Sequence, residues 1–436
     1  MRPARRTPVR QLLTVVVVAV LAAALLPAAP AVAVRITVDR RLFGLHDTDP
    51  TSMPLTSMGS IRLWDAGVTW RDIETSPGTY DFTRLDAIVA AAQARGVEVT
   101  LVLGMTPDFY GGATSYPSDP GAWTRYVTAV VTRYRSFNGT RGIHAYQVWN
   151  EANVKGYWTG SPVQMGELTR STWNVVKPAD RGALVVGPAL AVRIAEQTRG
   201  LGQYYYARIR SANGYIPVWR FLDVISLNLY PLDRYGSKLG TPETSMSLLA
   251  KAKEDMQLRG VPVSGKRAKP IWNTEINYGL ATGGTGASTT LSSERQAAYV
   301  LRTYLLNAAR GVRRVHWYVW DRPAIGNTKM LGADAATPTL AGKAFGLAQS
   351  WMLNGTLVGA SKTAQPCAKD RAGTYTCVIA YAGGVKRVYW NPSRSVKLKA
   401  ARDATFKVGV YGMRTAVKSG ATLRVDYRPL MVRSKS

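Results

Sequence analysis

Strand-like apolar runs alternate with helix-like segments along the chain, from Phe43 to Trp320. This alternation is typical of βα units packed around a parallel sheet. The helix-like segments Leu85–Gln93 and Ser293–Ala309 carry apolar residues at helical spacing, with a glycine beyond each end. Eight runs have the composition of strands: Phe43–His46, Ile61–Trp64, Glu98–Gly104, Ala145–Asn150, Leu184–Gly187, Val224–Leu229, Pro270–Glu275 and Arg314–Trp320. Eight such units predict an α/β fold, a closed (β/α)8 TIM barrel.

The sequence pattern changes after a predicted helix at Leu340–Trp351. The runs that follow are rich in β-branched and aromatic residues and are separated by Gly-Gly, Asn-Pro and Ser-Gly turns. They are Tyr375–Tyr381, Lys386–Trp390, Thr405–Tyr411 and Thr422–Tyr427. We therefore expect a barrel domain over residues 34–352 and a small, sandwich-like C-terminal β domain over residues 353–436.

The N-terminal residues predict export. Several arginines precede an unbroken apolar stretch from Leu12 to Leu26, and Ala31-Val32-Ala33 forms a small-residue cleavage site. These are the parts of a secretory signal peptide, here residues 1–33, and the stretch is shorter than the roughly 20 residues of a membrane span. We expect a secreted bacterial protein, with an uncleaved N-terminal anchor as the alternative. Cys367 and Cys377 flank a polar turn and predict a disulfide bond in an oxidising compartment.

The chain is strongly basic, with 56 Lys and Arg against 27 Asp and Glu, a formal net charge of +29. Such a surface attracts polyanions. An anionic cell-envelope polymer and a generally basic composition both explain the charge. The basic residues are spread along the chain without zinc-finger spacing, so we expect no nucleic-acid partner. The sequence contains no cysteine–histidine cluster, so we expect neither a metal nor another cofactor. We also expect the protein to be a monomer.

Two of the predicted strands, the fourth and the seventh, lead into a glutamate. Glu151 follows Gln147-Val148-Trp149-Asn150, and Glu275 follows Ile271-Trp272-Asn273-Thr274. The C-terminal ends of barrel strands meet at one mouth, so these two carboxyl groups are expected to face each other. Cleavage of a glycosidic bond needs an acid for the leaving oxygen and a carboxylate for the sugar carbon. The pair therefore predicts a glycosidase.

The same segments resemble the catalytic motifs of clan A glycoside hydrolases. Trp149-Asn150-Glu151 is similar to their acid/base motif, and Thr274-Glu275 is similar to their nucleophile motif. Ile73-Glu74, followed by Gly78-Thr79-Tyr80-Asp81-Phe82, resembles a segment of family 39 and related bacterial exopolysaccharide hydrolases and β-xylosidases. The resemblance implies a retaining enzyme that cleaves O-glycosidic bonds of a poly- or oligosaccharide by double displacement.

The resemblance also implies roles for neighbouring residues. Asn150 would bond the 2-hydroxyl of the sugar, while Arg62 and Tyr230 would hold the nucleophile. A guanidinium lowers the pKa of a nearby carboxylate, so we expect Arg62 to keep Glu275 ionised. The common His-x-Tyr reads Asn228-Leu229-Tyr230 here. This departure makes Asn228 a further candidate for substrate binding.

Three residues of the first and eighth predicted strands complete the candidate site. His46 is expected to face the cleft, with a hydrogen bond at the bottom of the barrel as the alternative. Trp317 and Trp320 would offer an apolar platform for a sugar ring, with core packing as the alternative, and His316 is expected to point towards the helices. Two other functions stay open: a catalytically silent carbohydrate-binding or envelope-adhesion protein, and a transglycosylase. The sequence decides neither the sugar nor endo against exo action.

Overall fold

The computed structural model describes residues 33–54, 56–193, 199–212, 214–231, 240–278, 291–321, 328–359 and 364–435. The predicted signal peptide lies outside these residues, except for Ala33. Within them, the eight predicted barrel strands are present, and each of them except the first is followed by at least one helix. The barrel strands are β1 (Phe43–Leu45), β2 (Ser60–Leu63), β3 (Glu98–Leu103), β4 (Ala145–Val148), β5 (Leu184–Val186), β6 (Ile225–Asn228), β7 (Ile271–Ile276) and β8 (Arg314–Trp317).

These strands form one parallel sheet that closes on itself. The hydrogen-bonded order is β5, β4, β3, β2, β1, β8, β7 and β6. A parallel bridge between Val186 and Val224 joins β5 to the start of β6. The short strand Leu190–Ala191 also pairs in parallel with β6. The prediction of a closed (β/α)8 barrel is confirmed.

The described helices surround this sheet. They are α1 (Trp70–Ile73), α2 (Thr83–Ala94), α3 (Pro120–Tyr134), α4 (Pro162–Ala179), α5 (Gly202–Tyr206), α6 (Pro242–Leu258), α7 (Ser293–Ala309) and α8 (Leu340–Met352). Local sequence fixes their starts. At α4, the Ser161 side chain caps the helix, Gln164 bonds back to the Ser161 backbone and Pro162 occupies the first turn, which together satisfy free N–H groups.

The buried residues of the barrel strands include one small apolar cluster, formed by Ala145, Val186, Val224 and Trp272. Many of the other buried side chains are polar. Arg314 and Glu98 form an ion pair at the starts of β8 and β3, whereas Arg62, Gln147 and Asn228 lie closer to the C-terminal ends of their strands. Burying such groups is costly unless they are hydrogen-bonded. Active sites of barrels of this kind lie at the C-terminal ends of the strands, so the second group contains the candidates for a functional site.

The C-terminal region forms antiparallel sheets, as predicted. Its larger sheet contains Thr356–Val358, Ala368–Lys369, Tyr375–Tyr381, Gly384–Trp390, Ala404–Val408, Arg414–Ala416 and Leu430–Ser434, and a second sheet pairs Val396–Lys399 with Thr422–Val425. One domain boundary needs correction. Arg35–Thr37, expected in the barrel, pairs with Thr356–Val358 and so belongs to the C-terminal sheet.

Two smaller hairpins and several short 3-10 turns lie outside the barrel sheet. The hairpins pair Glu74–Ser76 with Thr79–Tyr80 and Arg208–Ser211 with Gly214–Pro217, and the turns are Arg40–Leu42, Asp108–Tyr110 and Val218–Phe221. The predicted disulfide bond between Cys367 and Cys377 is formed. No helix among the described residues is long and apolar enough to cross a membrane.

Candidate active site

Glu275 lies on β7 at the mouth of the barrel and is held at both carboxylate oxygens. Nη1 of Arg62 donates to Oε1 over 2.6 Å, and the Tyr230 hydroxyl donates to Oε2 over 3.0 Å. The Glu275 residue is only 4% exposed. One donor on β2 and one just after β6 therefore fix the orientation of this carboxylate.

Arg62 on β2 connects three strands through its guanidinium group. Besides the bond to Glu275, Nε donates to Oε1 of Gln147 over 2.6 Å, and Nη2 donates to Oδ1 of Asn150 over 2.8 Å. Its side chain is fully buried. A planar guanidinium can satisfy several acceptors at once, which a lysine ammonium on a flexible stem cannot reproduce.

Glu151 is brought into the barrel by an unusual turn directly after β4. Trp149 has a φ of 71° and Glu151 a φ of 43°, both in the left-handed region that non-glycine residues seldom adopt. The Trp149 ring packs outside the sheet against Trp158 and Trp123, and its Nε1 donates to the Tyr157 carbonyl over 2.8 Å. Strained backbone of this kind is concentrated at functional sites.

The Glu151 carboxylate also has a donor at each oxygen. Nδ2 of Asn228 lies 3.2 Å from Oε1, and Nη2 of Arg193 lies 2.7 Å from Oε2. Asn228 also donates to Oδ1 of Asn150 over 3.3 Å. Glu275, Arg62, Asn150, Asn228 and Glu151 thus form one continuous hydrogen-bonded network. The structure brings these sequence candidates together.

The pKa of Glu275 differs from the expectation for a residue beside an arginine. Burial raises its pKa to about 7, although Arg62 pulls it down, and the charge of Glu151 raises it further. Arg62 lowers the pKa of Glu275 as expected, but the loss of solvation on burial outweighs the attraction of this one cation. Burial likewise raises the pKa of Tyr230, so its hydroxyl stays a donor.

His46 supports the site from below and does not face an open cleft. It is completely buried, and its Nε2 lies 2.9 Å from the Thr274 carbonyl, next to Glu275. Burial, with Arg62 nearby, keeps its pKa well below the usual value. The prediction that His46 contacts substrate is therefore corrected: it is a neutral group that positions the end of β7.

The predicted aromatic platform on β8 also needs correction. Trp317 is fully buried, and its ring lies 5.8 Å from that of Tyr278 on the outer side of the sheet. His316 was expected to face the helices but points inward, and its Nε2 lies 3.3 Å from Oγ of Ser60. Side chains alternate along a strand, so Tyr318 is the next residue to face inward.

Trp320 lies beside the mouth but away from the glutamates. It is 4% exposed and packs against Phe345. It borders a cavity of about 440 Å³ whose other lining residues include Asp47 and Asp321, and neither Glu151 nor Glu275. A sugar ring stacked on Trp320 would therefore be a neighbouring unit of the substrate and not the sugar bound between the two glutamates.

Two residues of the site were not anticipated from the sequence. Arg193 donates to Glu151. Tyr318 donates to Oδ2 of Asp65 over 2.6 Å, and its ring centroid lies 5.1 Å from that of His46. Tyr318 could have been found from the sequence, because every second residue from Arg314 faces inward. No sequence signal distinguishes Arg193 from the many other arginines. Among the described residues, no group of three or more His, Cys, Asp or Glu side chains could hold a metal ion.

Comparison with known sequences gives a short match. No family model matches the chain. A stretch of 130 residues is 29% identical to mannan endo-1,4-beta-mannosidase F of Aspergillus fumigatus, and 28% identical to a probable mannan endo-1,4-beta-mannosidase F of Neosartorya fischeri. These matches cover 27% of this chain, and 28% and 27% of the two curated proteins. The chain therefore spans only about a quarter of these relatives.

Comparison with solved structures covers almost the whole chain. A family 39 glycoside hydrolase from Bacteroides cellulosilyticus aligns with a TM-score of 0.63 at 17% identity, over 91% of this chain and 81% of that one. The chain has the fold of barrel glycoside hydrolases. A glucosidase from Croceicoccus marinus (TM-score 0.62, 12% identity, 94% and 100% coverage) and a family 30 endoxylanase from Clostridium papyrosolvens (0.55, 14%, 94% and 100%) align similarly. The expected fold resemblance is confirmed.

Proposed function

We propose that this protein is a retaining O-glycosyl hydrolase of the clan A type. The observation that carries the proposal is the network in which two buried glutamates, from the ends of β4 and β7, are each held by their own donors at one barrel mouth. The fold shared with barrel glycoside hydrolases supports the same conclusion.

The two glutamates take different roles in this proposal. Glu275 attacks the anomeric carbon and forms a glycosyl ester, while Glu151 gives its proton to the departing glycosidic oxygen. Glu151 then takes a proton from water, whose oxygen attacks the anomeric carbon and releases the sugar and the Glu275 carboxylate. Arg62 and Tyr230 orient the nucleophile, which supports assigning the attack to Glu275. Asn150 is the candidate for bonding the 2-hydroxyl.

The test is a screen of aryl glycosides and cell-envelope polysaccharides for released reducing ends. We expect Glu275→Gln and Glu151→Gln to lose activity by about 100-fold to 10000-fold or more, whereas Glu254→Gln, on the exposed face of α6, keeps it. Retained anomeric configuration in the product and a carboxyl separation of about 5–5.5 Å in a crystal structure are expected. Full activity in both active-site variants would refute the proposal, and glycan binding without turnover would favour the adhesion protein.

We also propose that the protein is exported and acts outside the cell as a monomer. The sequence features of a leader and the Cys367–Cys377 bond support export. N-terminal sequencing of the protein from culture medium is expected to give a mature chain that begins at Val34. Recovery of the full-length chain in the cytoplasm alone would contradict export.

A further inference from the structure

The cavity of about 440 Å³ that Trp320 borders lies across the barrel mouth from Glu151. Several of its lining residues follow β1 and β8, which are adjacent strands, whereas β4, which leads to Glu151, lies on the opposite side of the barrel. The volume is within the range of about 300–1,000 Å³ that small-molecule sites occupy. The lining combines apolar side chains with three carboxylates, and it includes Met53, Trp320, Pro338, Asp47, Asp49 and Asp321.

Asp47 brings a buried carboxylate with an unused acceptor to this cavity. The residue is only 6% exposed, and its Oδ1 accepts the backbone N–H of Asp49 over 2.9 Å. Within the part of the chain that the structure describes, Oδ2 has no hydrogen-bond partner. Asp321 differs, because both of its oxygens accept bonds from Thr48. Oδ2 of Asp47 is therefore the acceptor that a ligand in the cavity can use.

The negative charge at this cavity is not balanced by the protein. Asp49 forms an exposed ion pair with Arg84, but neither Asp47 nor Asp321 forms an ion pair with a described lysine or arginine. Burial, followed by the charge of Asp321, raises the pKa of Asp47 to about 6, so most of this carboxyl group is still ionised at neutral pH. A buried charge without a counter-charge is costly, and a bound cation would remove that cost.

We propose that the cavity binds the ammonium group of an amino sugar, a hexosamine unit of the substrate chain whose amine is free. This inference rests on the proposed function and assigns one position of its substrate. The ammonium group donates to Oδ2 of Asp47, and the nearby Trp320 adds the aromatic ring that attracts cations most strongly. A neutral sugar would supply hydroxyl donors but no charge to offset the carboxylates.

The place of the cavity indicates which side of the cleaved bond this unit occupies. In the proposed mechanism Glu151 contacts the oxygen of the leaving group, and the cavity lies on the other side of the mouth. The amino sugar therefore belongs to the part of the chain that Glu275 holds after the first step. The formal net charge of +29 opposes the approach of a cationic chain, but such long-range repulsion is screened within about 8 Å at physiological salt, whereas contacts in a partly buried cavity are screened much less.

The test is isothermal titration calorimetry at neutral pH with the β-1,4-linked disaccharides of glucosamine, N-acetylglucosamine and glucose, which differ only at carbon 2. We expect the glucosamine disaccharide to bind at least about tenfold more tightly than the other two, because it adds a charge-assisted hydrogen bond. Asp47→Asn, which keeps the shape of the side chain, should abolish this difference. Asp108→Asn removes an exposed carboxylate after β3 and should leave the difference unchanged.

Two further variants locate the bound amine. Ala336→Trp, at an exposed position of the cavity lining, should abolish the same difference without removing a charge, and it serves if Asp47→Asn does not fold. Glu275→Gln should keep the difference, because Glu275 does not line the cavity. Equal binding of the three disaccharides, a preference for the amine that survives Asp47→Asn or Ala336→Trp, or one that is lost in Glu275→Gln would overturn the inference.

This inference and the proposed function can fail separately, because the calorimetric measurement does not require turnover. Cleavage of glycans that depends on Glu151 and Glu275, without a preference for the free amine in binding, would refute the inference alone. A preference for the amine that depends on Asp47, in a protein that cleaves no glycan, would refute the proposed hydrolysis and leave the amine site in place.

Discussion

At the scale of single residues, Arg62 decides the geometry of the site. It is a fully buried cation whose three donors reach Gln147, Glu275 and Asn150, on or beside β4 and β7. Such an arrangement is stable only while every partner is present, because a buried charge that loses its partner is strongly destabilising. The same residue therefore affects both folding and proposed catalysis.

We predict that Arg62→Lys lowers the free energy of unfolding by about 2–4 kcal/mol and lowers kcat/KM at least about 100-fold. The lysine keeps the charge but cannot reach three acceptors. Urea denaturation and initial rates measure the two effects. Arg71→Lys, at an exposed ion pair with Asp108, should change stability by less than about 0.5 kcal/mol. Similar behaviour of the two variants would contradict the role given to Arg62.

The raised pKa of Glu275 predicts how activity depends on pH. The nucleophile must be ionised, and its pKa is about 7, so kcat/KM should fall as the pH drops below about 7. Tyr230→Phe removes a donor to the charged form, which raises the pKa further and moves this acidic limb to higher pH. Rates between about pH 4 and pH 9 test this. The control is Tyr411→Phe, because the Tyr411 hydroxyl bonds Glu294, which is not part of the site. If Tyr230→Phe moved the acidic limb to lower pH, the assignment of Glu275 as the nucleophile would be refuted.

At the scale of elements, helix α8 contains two glycines, Gly342 and Gly346, whose surroundings differ. A Cβ on Gly342 would lie 2.3 Å from the Met330 carbonyl oxygen, whereas a Cβ on Gly346 would meet no atom within 4 Å. Gly342 therefore allows a close approach of backbone, while Gly346 has no such requirement and only weakens the helix.

We predict opposite effects of alanine at these two positions. Gly346→Ala should raise the free energy of unfolding by about 0.5–1 kcal/mol, because alanine has the higher helix propensity. Gly342→Ala should lower it by about 1–3 kcal/mol, since the backbone must shift to admit the methyl group. Thermal unfolding of both variants provides the measurement. Stabilisation by both substitutions would show that the contact at Met330 relaxes without cost.

The elements of the barrel could be predicted from the sequence because strand and helix periods differ. Glu151 and Glu275 could also be predicted, since strand ends of a parallel barrel converge. The side that each β8 residue faces was not predicted. Apolar Trp317 packs outside while polar His316 points inward, because a polar partner, Ser60 at the start of β2, is available inside the barrel. The burial of His46 and the partner of Arg193 depend on packing across the barrel, which no local pattern encodes.

At the scale of the whole molecule, a buried polar contact joins the barrel to the C-terminal domain. Glu243 at the start of α6 pairs with Arg302 on α7 and accepts a bond of 2.8 Å from Nε1 of Trp390. Burial alone would raise the pKa of Glu243, but Arg302 and Trp390 outweigh it and the pKa is lowered. The contact ties three elements of two domains to one carboxylate.

We predict that Glu243→Gln lowers the free energy of unfolding by about 3–5 kcal/mol, because Arg302, only 1% exposed, is left without its counter-charge. Glu254→Gln on the same helix should change stability by less than about 0.5 kcal/mol. Chemical denaturation compares the two. Equal stability of the variants would mean that the domain contact does not depend on this ion pair.

The pairing of Arg35–Thr37 with Thr356–Val358 sets an order of events during biosynthesis. The segment that leaves the ribosome early has its partner beyond the entire barrel. Closing so long a loop carries a high entropic cost, so this pairing is expected among the last steps of folding. Until then the backbone of the early strand is unpaired, and the finished fold links the segment before the barrel to the segment that directly follows it.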